Sequence, residues 1–526
     1  MYEKYGLTHW KNSGFKSFLI TVYTAFKNDL YEVFDGNKTV GTFQTRREGD
    51  ALHFGKLATD PSVSGKGIGG YVIAEMERMA EAGGLRFLRC EVYDRSEHAY
   101  SFYKRRGFSE CGEVETRKYK EKVLEKRVGS VQKKKVLIIG AGFLQAFVIK
   151  RAKELGYEVH ALDGNPEATG FRFADKYAAV NIVDSEACLA YAMENKVDGV
   201  LTAATDYGVL TAATIAEKMG LNGLNLDSAR LIKNKYLIRK RLFENRVDDT
   251  EQAYLVEDGT DIDALSERVK YPVMVKPCDG SGSRGASRVD RAEDFAEACR
   301  YAMDGSITKR AEVESFIFGN EYGVESFVEN GNIHILAVMK KWMTEPPYYA
   351  ELGHAVPSGL PEAVEEKVKN CVRGALVALG VNFGSVNMDL LITDEGGVHI
   401  IDIGARMGGN LIGSHIVPIS SGIDYMGNMI KAAVGDKVDF TPGEKKSVAT
   451  RLLAFEGGVV TDLSYISEAE RKFGVEVHHH LAQGQTVNKY KTNLDGGGYV
   501  VAKANEIDTA IANAAGAFEL IKKTLS

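Results

Sequence analysis

The sequence predicts a multidomain protein of mixed class, with an α+β unit at its start followed by α/β and α+β units. Three observations predict it. A length of 526 residues exceeds the roughly 250–300 at which one apolar core stops growing, so several folding units are required. From Lys135 onward, short β-branched runs (VLIIG, EVHALD, AAVNI, GVLTA) alternate with helical patterns, which gives a parallel, doubly wound sheet. After about Asp227 the pattern turns to closely spaced apolar runs such as YPVMVKP, AEVESFIF and NIHILAVMK, as in hairpin-rich lobes.

Composition narrows the function. Hydrophobic residues at 44% and charged residues at 26% are those of a globular chain and exclude wholesale disorder. Sixty-six basic against 72 acidic residues leave a net charge of −6, so no nucleic-acid partner is expected. The six cysteines lie far apart without a CxxC pair. That argues against a disulfide framework or a Cys-rich zinc site and suits a cytoplasmic setting. No stretch approaches about 18 apolar residues, and the first residues have no apolar leader core, so no membrane segment is expected. The expected boundaries are 1–130, 131–226, 227–440 and 441–526. The polar, cationic stretch 117–135 reads as a connecting helix fraying into a linker.

In the first unit, a strand over 52–59 leads into a Gly-rich turn over 64–70 and an amphipathic helix from about Tyr71. A Gly-rich turn opening a helix aims free N–H groups outward at the positive end of the helix dipole, an anion-binding arrangement. A plain tight turn is the alternative. Then come the strand LRFLRCEVYD and the run SEHAYSFYKRRGF, which carries Tyr103 ahead of Gly107-Phe108. This order resembles the GNAT N-acetyltransferase family over roughly residues 29–120. The resemblance implies that Gly65, Gly67 and Gly69 hold the pyrophosphate of acetyl-CoA and that Tyr103 is the catalytic acid for the departing thiolate. Ser64 and Ser96 depart from the family's usual Arg or Gln and Asn, and a degenerate module used for packing or regulation stays open.

The next unit begins like a dinucleotide-binding fold, but Gly140-Ala-Gly142-Phe-Leu-Gln145 lacks the third glycine, so NAD is a weak reading. Asp163 could hold a ribose or simply end its strand. Lys235 starts a helix. Lys276 ends a strand, before a loop in which Gly280, Ser281, Gly282, Ser283 and Gly285 offer N–H groups and hydroxyls to phosphate oxygens. A flexible hairpin is the alternative. Glu314 and Glu321 flank an apolar stretch whose backbone near Ile317 can meet a purine edge. Asp389 and Asp402 stand on two strands joined by the turn 393–397, and counting from that turn brings them across from each other. Facing carboxylates repel unless a cation lies between them, and hard oxygen ligands suit magnesium.

Arg406, in ARMGGN, offers a planar fork to a carboxylate or an acyl phosphate, and His415 follows it as a candidate substrate contact. Residues 341–361 read as a lid or substrate loop. His478, His479 and His480 alternate faces along a strand and so do not converge on one ion.

Taken together, residues 135–526 resemble the ATP-grasp superfamily, specifically its carboxylate–amine ligases. The resemblance implies an ATP-dependent enzyme that forms an amide bond through an acyl phosphate and is ADP-forming. Lys235 and Lys276 would meet the phosphates and adenine pocket, and the glycine loop would close over the phosphates. Glu314 and Ile317 would hold adenine, Glu321 the ribose, Asp389 and Asp402 Mg2+, and Arg406 the substrate carboxylate. Asp402 and Gly404 stand where the family commonly has Glu and Asn, so one metal ligand is either missing or supplied elsewhere, with Asn387 and Asn410 as candidates. The implied partners are a small-molecule carboxylate, an amine and a second copy in a homodimer. Carboxylation or formylation of an amine, and a ligase body with a dead acetyltransferase cap, remain alternatives.

Overall fold

The structure is a computed structural model that describes residues 29–36, 38–63, 67–116, 119–128, 133–280, 285–345 and 348–526. The chain divides into two compact units, Met1–Lys133 and Lys134–Ser526.

The first unit is a six-stranded sheet: β1 (Asp29–Asp35), β2 (Lys38–Glu48), β3 (Ala51–Thr59), β4 (Phe87–Tyr93), β5 (Ser109–Glu115) and β6 (Lys120–Arg127), in the order β1-β2-β3-β4-β6-β5. Helices α1 (Ile68–Ala82) and α2 (Glu97–Lys104) interrupt it. Helix α1 buries Val72, Ile73, Met76 and Ala80, a helical stripe that meets Leu52, Phe54, Leu88 and Leu124 of the sheet.

Residues 120–127 correct the linker expectation: they form β6, inserted between β4 and β5. The charges that suggested a solvated helix are matched across the sheet. Glu125 pairs with Arg89 on its register partner, Lys122 lies 3.0 Å from Glu110, and Leu124 is buried. Complementary cross-strand charges stabilise a strand that composition alone disguises.

The second unit opens with a parallel sheet of β7 (Lys135–Ile139), β8 (Glu158–Asp163), β9 (Lys176–Ala179) and β10 (Gly199–Thr202), ordered β10-β7-β8-β9. Its strands are unbroken apolar runs because both faces are covered: Val136 and Ile138 enter one core, Leu137 and Ile139 another. Helix α3 (Gln145–Glu154) follows β7, and α4 (Lys235–Glu244) comes after the sheet. An antiparallel sheet follows, ordered β11-β14-β12-β13, from β11 (Tyr254–Val256), β12 (Val273–Pro277), β13 (Ser287–Val289) and β14 (Ala311–Ser315).

The largest sheet has eight antiparallel strands: β15 (Asn320–Glu329), β16 (Asn332–Met343), β17 (Glu351–Val356), β18 (Gly384–Ile392), β19 (Val398–Gly404), β20 (Ser447–Leu452), β21 (Glu476–His479) and β22 (Gly498–Ala504). Their order is β19-β18-β15-β16-β17-β20-β22-β21. Between β17 and β18, α5 (Glu362–Ala378) lays Val368, Val372, Ala375 and Leu376 against Met388, Leu390 and Ile400. Each large aliphatic side chain so buried contributes about 1.5–3 kcal/mol, which holds the β18–β19 hairpin flat against the body. Helix α6 (Tyr425–Ala433) follows β19. No described helix is long and apolar enough to cross a membrane.

Candidate functional site

The β18–β19 hairpin closes through Thr393, whose N–H donates to Gly397 O at 3.0 Å. Asp389 and Asp402 are direct register partners, and the ladder then steps to Leu390 opposite Ile400. One arm thus carries an extra residue, Ile401, as a bulge. The bulge carbonyl accepts from Lys276 Nζ at 3.2 Å. Both aspartates line an open cleft of about 710 Å³ with Lys235, Gly280, Asn387, Asp206 and Arg406.

Each aspartate has a lysine partner. Lys235, in the first turn of α4, pairs with Asp402, and that turn is fixed by Asn234, whose side chain accepts the Leu237 N–H. Asp389 pairs with Lys341 at 2.8 Å, and the same ammonium holds Glu321 and Glu351 at 2.7 Å each. Burial works against the Lys341 charge, but the three carboxylates outweigh it and keep it protonated. One ammonium cannot neutralise three anions. Burial, reinforced by the Glu321 and Glu351 charges, accordingly pushes Asp389 up to about 7.

A second buried charge group sits on β12 and β14. Lys276 reaches Glu314 at 2.6 Å and Glu312 at 3.8 Å, and Glu312 is its register partner. Arg239 of α4 lies 3.5 Å from Glu314 and 2.7 Å from Asp248. Glu314 is held below the usual carboxylate range because Lys276 and Arg239 overcome its burial.

Arg406 sits beside the hairpin with its Nε 3.0 Å from Asp206, while its Nη1 is buried with no hydrogen-bond partner among the described residues. Nearby, Glu325 is fully buried and collects three kinds of donor: Tyr425 O–H at 2.5 Å, the Gly408 N–H at 3.1 Å and Asn387 Nδ2 at 3.0 Å. Burial still pushes its carboxyl up to about 7. This hub fixes the double-glycine turn that follows Arg406.

In the first unit, β3 and β4 run parallel and pair only through Ala51–Phe87, Leu52–Leu88 and His53–Arg89. Beyond His53 they part, which leaves a notch in the middle of the sheet. Gly67 caps α1 in the left-handed conformation. A Cβ on Gly69 would lie 3.0 Å from the Phe102 ring, so that glycine also serves close packing of α1 on α2. Tyr103 packs edge-on or tilted against Phe54, Phe102 and Phe108 at ring distances of 5.1–5.8 Å, and burial raises its hydroxyl above the ordinary phenol range.

Comparison with known proteins agrees with this geometry. The ATP-grasp domain profile matches residues 269–414, and the acetyltransferase (GNAT) domain profile matches residues 26–110. The chain carries an ATP-grasp domain and a GNAT domain. An ATP-grasp enzyme, fsqD, of Aspergillus fumigatus is 25% identical over 277 residues, 46% of this chain and 47% of that protein. The L-amino acid ligase from Bacillus licheniformis superposes with a TM-score of 0.64 at 21% identity, over 74% of this chain and 97% of that one. A 2-oxoglutarate carboxylase biotin carboxylase domain dimer from Hydrogenobacter thermophilus, solved with MgADP, has a TM-score of 0.60 at 18% identity over 73% and 89%. At these identities the structural likenesses establish the fold. The chain spans about half the length of the curated relatives it matches.

Within the ATP-grasp domain, Gly280 lines the cleft, and Gly285 needs its positive φ of 77° and its missing side chain, since a Cβ would lie 2.7 Å from Pro277. Ser281, Gly282 and Ser283, like Gly65 of the GNAT domain, lie outside the described residues. Ile317 falls between Phe316 and Phe318, whose rings Arg288 covers at 4.5 and 5.2 Å. Glu321 joins the Lys341 group rather than the Glu314 group. His415 does not line the cleft; its ring meets Phe147 at 5.5 Å. Asp163, the candidate ribose ligand, spends its two oxygens on the Ala141 and Asn165 N–H groups.

Lys341, Asp206 and Glu325 escaped the sequence reading. The signal for Lys341 was present: in the apolar run of β16, one of two adjacent lysines must point inward, because strand neighbours alternate faces.

Proposed function

We propose that the chain is an ATP-dependent ligase that activates a small-molecule carboxylate as an acyl phosphate and joins it to an amine. The observation that carries this reading is one cleft lined by Asp389, Asp402, Lys235 and Arg406. A carboxylate does not acylate an amine at neutral pH, because oxide is a poor leaving group. In the proposed sequence the substrate carboxylate oxygen attacks the γ-phosphorus of ATP and ADP departs. The amine nitrogen then attacks the acyl carbon, phosphate leaves with the bonding pair, and the amine proton passes to water.

Arg406, with one buried nitrogen unpartnered, holds the carboxylate and then the oxyanion of the tetrahedral stage. Lys235 and Lys276, with the loop from Gly280 to Gly285, neutralise and enclose the phosphates. Glu314 and the Ile317 backbone take adenine, and Glu321 takes the ribose. Asp389 and Asp402 suit Mg2+: they are hard oxygen donors, and Lys341 alone leaves two of its three partner charges uncompensated when all are ionised. When bound, magnesium disperses charge on the nucleotide phosphates. For the GNAT domain we propose acetyl-CoA as donor to an amine, with Gly65, Gly67 and Gly69 at the pyrophosphate and Tyr103 as the acid; the notch beyond His53 supports it. A cytoplasmic setting and a homodimer complete the reading.

The test is phosphate release from Mg-ATP against a grid of amino acids, other acids and amines, with mass analysis of products and hydroxylamine to trap the acyl phosphate as a hydroxamate. Amine- and acid-dependent ADP formation with a hydroxamate supports the reading. Release that requires bicarbonate instead assigns carboxylation, and failure to bind ATP with magnesium ends both.

A further inference from the structure

Among the described residues, one group of metal-ligating side chains lies apart from the cleft. A ligand atom from each of His415, Glu476 and His478 falls within 4.8 Å of the other two, and none of the three lines the cleft. Glu476 and His478 are two apart on β21 and so share a face. His415 reaches them from the π-helical turn Ile412–Ile416, its ring 4.4 Å from that of His478. Phe147 closes one side, edge-on to both imidazoles at 5.5 Å. The alternation of faces expected from sequence concerns only His478 and its neighbours along the strand; His478 instead meets a histidine from elsewhere in the chain.

We propose that His415, Glu476 and His478 form a divalent transition-metal site, with zinc as the fitting ion. Two imidazoles and one carboxylate make a nitrogen-rich set that suits zinc better than magnesium, and three protein ligands leave one coordination position open. Bond lengths of about 2.1 Å place tetrahedral ligand atoms about 3.4 Å apart, so the present spacing of up to 4.8 Å must close as the ion binds. His478 Nε2 is buried with no hydrogen-bond partner among the described residues, which is otherwise costly; the Glu476 carboxylate lies 3.9 Å from it. The Ser414 hydroxyl lies 2.8 Å from His415 Nδ1, the kind of outer contact that orients a ligating imidazole.

Nearby charges act in both directions. Lys503, 3.2 Å from Glu476, competes for that carboxylate, and Lys150 faces His478 while Glu470 opposes it. The bound ion ties edge strand β21 to the turn that follows Arg406.

The experiment uses the full-length, untagged chain, stripped with chelator and titrated with zinc by calorimetry and with cobalt by absorption. One zinc per chain is expected, together with the visible bands of four- or five-coordinate cobalt. His478→Ala weakens binding by about a hundredfold or more and Glu476→Gln by about tenfold or more, since losing a direct ligand costs no less than losing an outer contact. Lys503→Met tightens it, and Asp389→Asn leaves it in place. Glu476 is exposed, so its variant decides the matter even where the histidine variant unfolds. Zinc affinity unchanged in Glu476→Gln, or in a folded His478→Ala, or binding abolished by Asp389→Asn, overturns the proposal.

Discussion

Arg406 and Glu325 illustrate two uses of buried charge. Arg406 spends part of its fork on Asp206 and keeps Nη1 unpaired, a donor available for an anion that arrives later. A lysine at this position keeps the charge and loses the planar, two-pronged geometry. Arg406→Lys is therefore expected to lower hydroxamate formation by about 10²–10³-fold while the ATP dissociation constant stays within a few-fold. A hydroxamate rate within threefold of the parent would remove Arg406 from the chemistry. Glu325 accepts from Tyr425, Gly408 and Asn387. Glu325→Gln turns one acceptor into an NH2 that faces those donors, so unfolding by denaturant should read a loss of about 1–3 kcal/mol. Neither Asp206 nor Glu325 could be found from sequence: Asp206 lies 200 residues from Arg406, and Glu325 reads as an ordinary polar residue of a half-buried strand.

At the scale of elements, the β18–β19 hairpin was legible because alternation and a Gly-Gly turn fix its register, apart from the Ile401 bulge, which the pairing resolves. Strand β6 was not legible, because its burial rests on Leu124 while its charges find partners on β4, β5 and α1. Helix α4 ties capping to function. Asn234→Ala removes the acceptor for Leu237 N–H, which should cost about 1 kcal/mol and raise the KM for ATP through Lys235, with little change in kcat. An unchanged KM would separate the cap from the site. Helix α6 gives a pH signature. Burial alone would raise the Asp424 carboxyl, but Arg151 and the Gly427 N–H hold it below the usual range. Its contribution is therefore complete above the unfolded-state value and lost as pH falls through the lower folded value. Asparagine preserves the cap and removes the charge. Asp424→Asn should thus flatten stability against pH in the acid range and cost about 0.2–1 kcal/mol at neutrality, the pair being partly exposed.

At the scale of the whole molecule, the two units bury separate sets of apolar side chains. The first core runs from Phe43 to Val128, and the other cores begin at Val136. A unit that owns its core can fold without the rest of the chain. A chain starting at Lys134 should therefore stay folded, with its melting transition within a few degrees of the corresponding transition of the full protein. It should also keep the acid- and amine-dependent release of phosphate from ATP, because every residue assigned to ligation lies beyond that point. Comparing products from the full and shortened chains given acetyl-CoA then asks whether the GNAT domain works on the same molecule. An acetylated amide from the full chain and an unacetylated one from the shortened chain would join the two activities in one sequence. Identical products would separate them, and a shortened chain that is folded but silent toward ATP would mean that ligation needs the first unit after all.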